Sequence, residues 1–201
     1  MKRAVVLSAG RASRLSGVNK LLVKAAGKSV LEWHERAFSG WRLDAVVRVD
    51  DVVNVLRAGW RGGTLVGTDQ CDGPAGALRS YVEAAQLDEP IVVVFADTLL
   101  VDLPADVGDW VGTAPAPWRV WDYRLGDTWM RGVPAVEVCV GLYRFDDAQA
   151  LRESLNALPT GTEVPMTALL REYEKKRRLS TVLVRGWQDA GDREALAKVK
   201  G

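Results

Sequence analysis

Short apolar runs alternate with amphipathic stretches along the chain. Residues 3–8, Arg-Ala-Val-Val-Leu-Ser, are partly β-branched and run into a glycine, which predicts a buried strand. A polar loop over 9–20 follows. Val30, Leu31, Trp33 or His34, and Phe38 then fall near helical spacing and predict a helix over 28–39. Residues 45–49 predict a second strand, 51–58 a short helix and 64–66 a third strand. Asp72-Gly73-Pro74 puts proline near the first turn of a helix running to about residue 86. Ile91 to Phe95 is apolar throughout, as in a strand covered on both faces. Beyond it the pattern predicts a helix over 104–112 and an irregular Pro-, Gly- and Trp-rich stretch over 113–135. A strand over 136–145, helices over 147–157 and 165–176, a strand over 180–185 and a helix over 191–199 complete the chain. Strand and helix alternate through the first half, which implies parallel pairing with right-handed crossovers and helices on both faces of one sheet. Such sheets hold ligands beyond the carboxyl ends of their strands, so the loops after residues 8, 95 and 185 are the candidate sites.

Composition narrows the field. The 201 residues, with no repeat or low-complexity linker, suit one domain over 1–201 with a core needing no metal or disulfide staple. Hydrophobic residues at 48% and charged residues at 26% describe a globular chain rather than a disordered one. The 27 basic and 26 acidic residues leave no basic surplus of the kind a nucleic-acid partner requires. Lys175-Lys176-Arg177-Arg178 reads as a solvated helix end. Cys71 and Cys139 are the only cysteines, and without a C-x-x-C they suit reduced thiols and a cytoplasmic location. His34 is the only histidine, which removes zinc sites built on several histidines. The apolar run at 4–7 is too short for a signal or membrane segment. The eight tryptophans are read mainly as packing.

The N-terminal loop carries the chemistry. Leu7-Ser8-Ala9-Gly10-Arg11-Ala12-Ser13-Arg14-Leu15, followed by Asn19-Lys20-Leu21-Leu22, combines a tight turn's backbone N–H groups with several cations. A triphosphate needs both. It is not a Walker loop, since G-x-x-x-x-G-K-[ST] is absent, and locally it could equally be an ordinary solvated loop. The segment resembles the L-x-A-G-x-G-x-R-L … P-K signature of nucleotidylyltransferases of the sugar-1-phosphate class. Leu7, Ala9, Gly10, Arg14, Leu15 and Lys20 match it, while Ala12 replaces the second glycine and Asn19 the proline.

Later segments follow that family's order. Ala26-Gly27-Lys28-Ser29-Val30-Leu31 resembles its G-K-P-[ML]-[LI] stretch, and Gly73-Pro74-Ala75-Gly76-Ala77-Leu78 its nucleobase turn. Phe95-Ala96-Asp97-Thr98-Leu99 resembles the strand end that supplies a metal aspartate, with Ala96 for glycine. Gly141-Leu142-Tyr143-Arg144-Phe145 resembles the strand lining the acceptor pocket, and Trp187-Gln188-Asp189-Ala190-Gly191 the segment supplying a second aspartate. Gly161-Thr162-Glu163 with Thr167 partly matches a sugar-contacting G-E-x-x-x-T-D, with Ala168 in place of the aspartate.

The resemblance implies a Rossmann-like, GT-A-type α/β fold with a mixed, mostly parallel sheet. Nucleotide binding would occupy about 1–110 and acceptor binding about 111–201. It implies transfer of a nucleotidyl group from a nucleoside triphosphate to a small phosphorylated acceptor, foremost a sugar-1-phosphate, giving a nucleoside-diphosphate sugar and pyrophosphate. Arg14, Lys20 and Asp97 would be catalytic, and Leu7, Ala9, Gly10, Arg11, Ala12, Ser13, Gly73, Pro74 and Gly76 would bind nucleotide. Gly141, Glu163 and Thr167 would bind acceptor, and Asp97 and Asp189 would hold Mg²⁺, whose octahedron accepts a few carboxylates plus phosphates and water. No membrane partner is expected, and a homo-oligomer is compatible. From the residues alone, Asp189 could instead cap the last helix and Glu163 could sit at a helix N-terminus. Other readings stay open. They are a GT-A glycosyltransferase, disfavoured by the missing D-x-D; a molybdopterin nucleotidyltransferase, which does not predict Trp187–Gly191; a phosphocholine-type cytidylyltransferase; and a non-catalytic nucleotide-binding module, suggested by Ala12, Asn19, Ala96 and Ala168.

Overall fold

In the computed structural model, residues 1–10, 17–69, 72–104, 107–115, 120–125, 128–134 and 137–200 are described. β1 (Arg3–Ser8) sets the architecture, because neighbouring side chains point to opposite faces of a strand. Val5 and Leu7 join one apolar cluster, and Ala4 and Val6 join another. A strand buried on both sides needs helices above and below it.

β2 (Lys24–Ala25) and β3 (Lys28–Ser29) form a small hairpin leading into α1 (Val30–Ala37). Ser29 caps that helix in a reciprocal box with Glu32. β4 (Arg42–Arg48), α2 (Val52–Arg57), β5 (Leu65–Thr68), α3 (Gly73–Ala84), β6 (Ile91–Phe95) and β7 (Thr98–Leu99) follow. The second half holds β8 (Trp110–Pro115), β9 (Val120–Leu125), β10 (Thr128–Pro134), β11 (Glu137–Phe145), α4 (Ala148–Asn156), α5 (Met166–Glu174), β12 (Ser180–Leu183), β13 (Gln188–Asp189) and α6 (Arg193–Lys198).

Among the described residues, seven strands make one sheet in the order β12-β8-β11-β6-β1-β4-β5. β1 runs parallel to β4 and β6, and β5 is parallel to β4. β11 is antiparallel to both β6 and β8, while β12 runs parallel to β8. The sheet is therefore mixed and mostly parallel, as expected. α3, α4 and α5 contribute to one cluster, α1 and α2 to the other. From β1 the chain builds outward through β4 and β5, then crosses to β6 on the other side. The carboxyl ends of β1 and β6 thus diverge at a topological switch point, where parallel sheets leave a crevice.

Two expectations need correction. Residues 110–115 are strand, not the end of a helix over 104–112. Trp110 and Ala114 face one cluster and Val111 the other, so β8 is buried on both sides and its apolar pattern does not distinguish strand from helix. The stretch over 113–135 is not irregular either, since β9 and β10 pair antiparallel across it. Its tryptophan, tyrosine and valine are strand-favouring, and only two residues separate the strands, the spacing of a tight hairpin.

Candidate active site

The crevice at the switch point is a cleft of about 760 Å³, open to solvent, formed where β1, β6 and α3 converge. Leu7, Ala9 and Gly10 line it from the end of β1, and Gly73 and Pro74 from the start of α3. Lys20, Asp97 and Glu163 supply its charges. A second cleft of about 490 Å³ adjoins it, lined by Asp97, Gly141, Tyr143 and Asp189 among others. Phe95 and Asp97 border both clefts, so the end of β6 separates them.

The backbone around Asp97 is held by three segments. The Ala96 N–H donates to Leu7 O at 3.1 Å, extending the β1–β6 ladder one residue beyond the strand. His34 Nε2 lies 3.2 Å from Ala96 O, and the Ala190 N–H donates to Asp97 O at 2.8 Å. A carbonyl can only accept, so His34 carries its proton on Nε2. This ring is fully buried, and loss of solvation pushes its pKa down to about 4. His34 is therefore neutral at pH 7.

Asp189 reaches the same place from the far end of the sequence. β13 pairs antiparallel with β7, setting Asp189 opposite Thr98. Gly191 is the hinge of the arrangement: a Cβ there would lie 3.0 Å from Asp189 Oδ1 and 3.5 Å from Asp97 Oδ2. Both carboxylate oxygens thus surround one small volume. Asp189 is not the cap of the last helix, because Asp192 accepts from the Ala195 N–H at 2.8 Å and fills that role. Two carboxylates presenting hard oxygens, with space beside them for phosphates, are the donor set a Mg²⁺ site uses.

Lys20 stands opposite, its ammonium paired with Asp97 Oδ2. It begins a one-turn 3-10 helix, Lys20–Leu22, capped by Asn19. At the start of α3, Gly73 has φ of 73°, and a Cβ there would come 2.7 Å from Val164 O. Glycine lets segment 161–164 press onto the helix: Val164 N–H donates to Asp72 O at 2.8 Å and Gly161 N–H to Asp72 Oδ2 at 3.1 Å. This brings Glu163 into the first cleft, on the side of Gly73, rather than into the second cleft with Gly141. Gly141, with φ of 78°, sits where the β8–β11 register shifts, and its missing Cβ leaves room for Phe95 and Thr98.

Gly76 and Thr167 are buried in α3 and α5 and line neither cleft. Gly76 is needed for packing, since a Cβ there would meet Asp72 Cβ at 2.4 Å. Arg11, Ala12, Ser13 and Arg14 lie outside the described residues. Sequence reasoning missed the placement of His34 and Asn19. The available signal was a lone histidine on an apolar helix face and an asparagine at a signature's proline position. It also did not single out Phe95 and Cys139 as cleft walls, whereas Tyr143 lies in the strand expected to line the acceptor pocket.

Comparison with known proteins places the N-terminal half in a family and finds the same fold elsewhere. Residues 4–109 match the family model of the MobA-like NTP transferase domain. The fold is similar to that of the nucleoside-diphosphate-sugar pyrophosphorylase from Vibrio cholerae RC9, with a TM-score of 0.76 and 17% identity over 95% of this chain and 97% of that one. It is also similar to the inositol-1-phosphate CTP transferase of T. maritima, with a TM-score of 0.76 and 13% identity over 98% of this chain and 92% of that one. No curated protein is close enough in sequence to match. With more than half of its length matched, and with the switch-point cleft lined mostly by that same N-terminal segment, the chain belongs to the MobA-like NTP transferase family of nucleotidyltransferases.

Proposed function

We propose that the protein transfers the nucleotidyl group of a nucleoside triphosphate to a sugar-1-phosphate or a similar small phosphorylated alcohol, releasing pyrophosphate. The observation that carries this reading is Asp97, shared by two adjoining clefts, flanked by Asp189 and paired with Lys20. The triphosphate occupies the cleft between Gly10 and Gly73, and the acceptor phosphate enters from the Gly141–Tyr143 side. Attack then occurs beside Asp97, where the two clefts meet.

Two anions must approach for an in-line displacement, so charge neutralisation is the main task. Asp97 and Asp189 would hold Mg²⁺, which would supply positive charge to the phosphates. Lys20 shifts from its carboxylate partner towards the α-phosphate as negative charge builds. An acceptor phosphate is already ionised at pH 7, so no side chain needs to remove a proton. The names of the structural neighbours support an acceptor carrying a phosphate on a sugar or polyol. The placement of Asp189 beside Asp97 favours this reading over a molybdopterin acceptor, which gave no reason for the Trp187–Gly191 segment.

The test is pyrophosphate release with Mg²⁺, crossing the four ribonucleoside triphosphates and dTTP with sugar-1-phosphates, inositol-1-phosphate and phosphocholine. One pair should react, EDTA should stop it, and Asp97→Asn should lower the rate by about 10²-fold or more. Turnover that survives both EDTA and Asp97→Asn would sink the proposal. A triphosphate that raises the melting temperature without any turnover would favour a binding module instead.

A further inference from the structure

Asn19 is buried, 4% exposed, and its side-chain hydrogen bonds to the described residues end on segments that build or brace the nucleotide cleft. Its Oδ1 accepts from Ser8 Oγ at 3.0 Å and from the Leu21 N–H at 2.9 Å. Its Nδ2 donates to Asp51 Oδ2 at 3.0 Å and to Ser8 O at 3.4 Å. Asp51 can only accept, so it fixes which way the amide points, and the oxygen must then face Ser8 and Leu21. Ser8 ends β1 and lines the cleft, whereas Asp51 sits in the turn after β4. One side chain thus ties the Lys20 turn to the ends of two neighbouring strands.

We propose that Asn19 is a positioning residue for Lys20, holding the turn so that the ammonium reaches Asp97 at the junction of the two clefts. Lysine has a flexible four-carbon stem, so where its head can act depends on where its backbone is fixed. The Leu21 N–H is one of the unpaired donors at the start of a helical turn, and capping it sets the direction in which Lys20 leaves the backbone. A proline at this position would fix φ but would leave Ser8 Oγ and Asp51 without this partner. Here the side chain anchors the turn. The catalytic part of this inference rests on Lys20 acting as proposed above; the tether itself does not.

The first measurement needs no substrate. Lysine acetylation, quantified by peptide mass spectrometry, reports how firmly the Lys20 ammonium is held, with exposed Lys24 as the internal reference. Asn19→Ala and Asn19→Asp should each raise the Lys20 rate severalfold relative to Lys24, the aspartate because it loses both donors and faces Asp51. An unchanged Lys20-to-Lys24 ratio in both variants overturns the proposal. The second measurement is a double-mutant cycle on pyrophosphate release. Asn19→Ala should lower kcat by about 10- to 100-fold when Lys20 is present and by almost nothing in a Lys20→Ala background. A full Asn19→Ala penalty without Lys20 means that Asn19 does not act through Lys20, and the proposal fails. If labelling rises but Lys20→Ala alone leaves kcat intact, the role of Lys20 falls while the tether stands.

Discussion

His34 makes the stability of this protein depend on pH in a way that can be calculated. In the unfolded chain its imidazole titrates near the ordinary value of 6.5, whereas in the fold burial lowers this to about 4. Between those values the unfolded chain binds a proton that the folded protein does not. Stability contributed by the neutral ring is therefore complete above pH 6.5 and is lost as pH falls towards 4. Going from pH 7 to pH 5 should cost about 2 kcal/mol through this residue alone. The perturbation is His34→Gln, whose amide still offers an N–H to Ala96 O but cannot ionise. Urea unfolding followed by tryptophan fluorescence at pH 7 and pH 5 gives the comparison, because carboxylates titrating in the same range contribute to both proteins. The wild type should lose about 2 kcal/mol more than the variant over this interval. Parallel losses in the two proteins would refute the reasoning and show that protonated His34 is accommodated in the fold.

Two further predictions concern other contacts. Asp44 is fully buried in β4 and accepts from the Thr64 N–H at 2.6 Å, Tyr81 OH at 2.5 Å and Arg42 Nε at 3.1 Å. Asp44→Ala should destabilise the fold by about 3–5 kcal/mol in urea unfolding, because it strands these donors, and a negligible loss would contradict that account. Gly191→Ala would put a methyl group within 3.0 Å of Asp189 Oδ1 and 3.5 Å of Asp97 Oδ2. It should raise the Mg²⁺ concentration for half-maximal pyrophosphate release by about tenfold or more while barely moving the urea midpoint, and an unchanged Mg²⁺ dependence would place the cation elsewhere.

Local pattern carried much of the fold. β1, β6, α3, α4 and α5 fall where apolar periodicity and turn residues predict them, because each element buries its own continuous stripe or run. The order of the motifs pointed to nucleotide chemistry because Gly10, Lys20 and Gly73 lie in short runs of residues that are recognisable without their spatial partners. The pattern failed over 104–135, where β8 is covered on both faces and takes its strand character from β11 and β12, partners remote in sequence.

The junction of the two clefts was decided by tertiary structure. Asp97 and Asp189 are brought together only because β13 pairs back onto β7, and Glu163 enters the nucleotide side only because Asp72 and Val164 bond across the fold. His34 behind Ala96 and Asn19 behind Lys20 were visible as residues but not as partners, since a hydrogen bond between distant segments leaves no periodic trace. The sequence pattern by itself determined most of the elements and which chemical groups are present. Packing at the switch point of the sheet determined which groups meet, because their separation in space is set by strand pairing and not by distance along the chain.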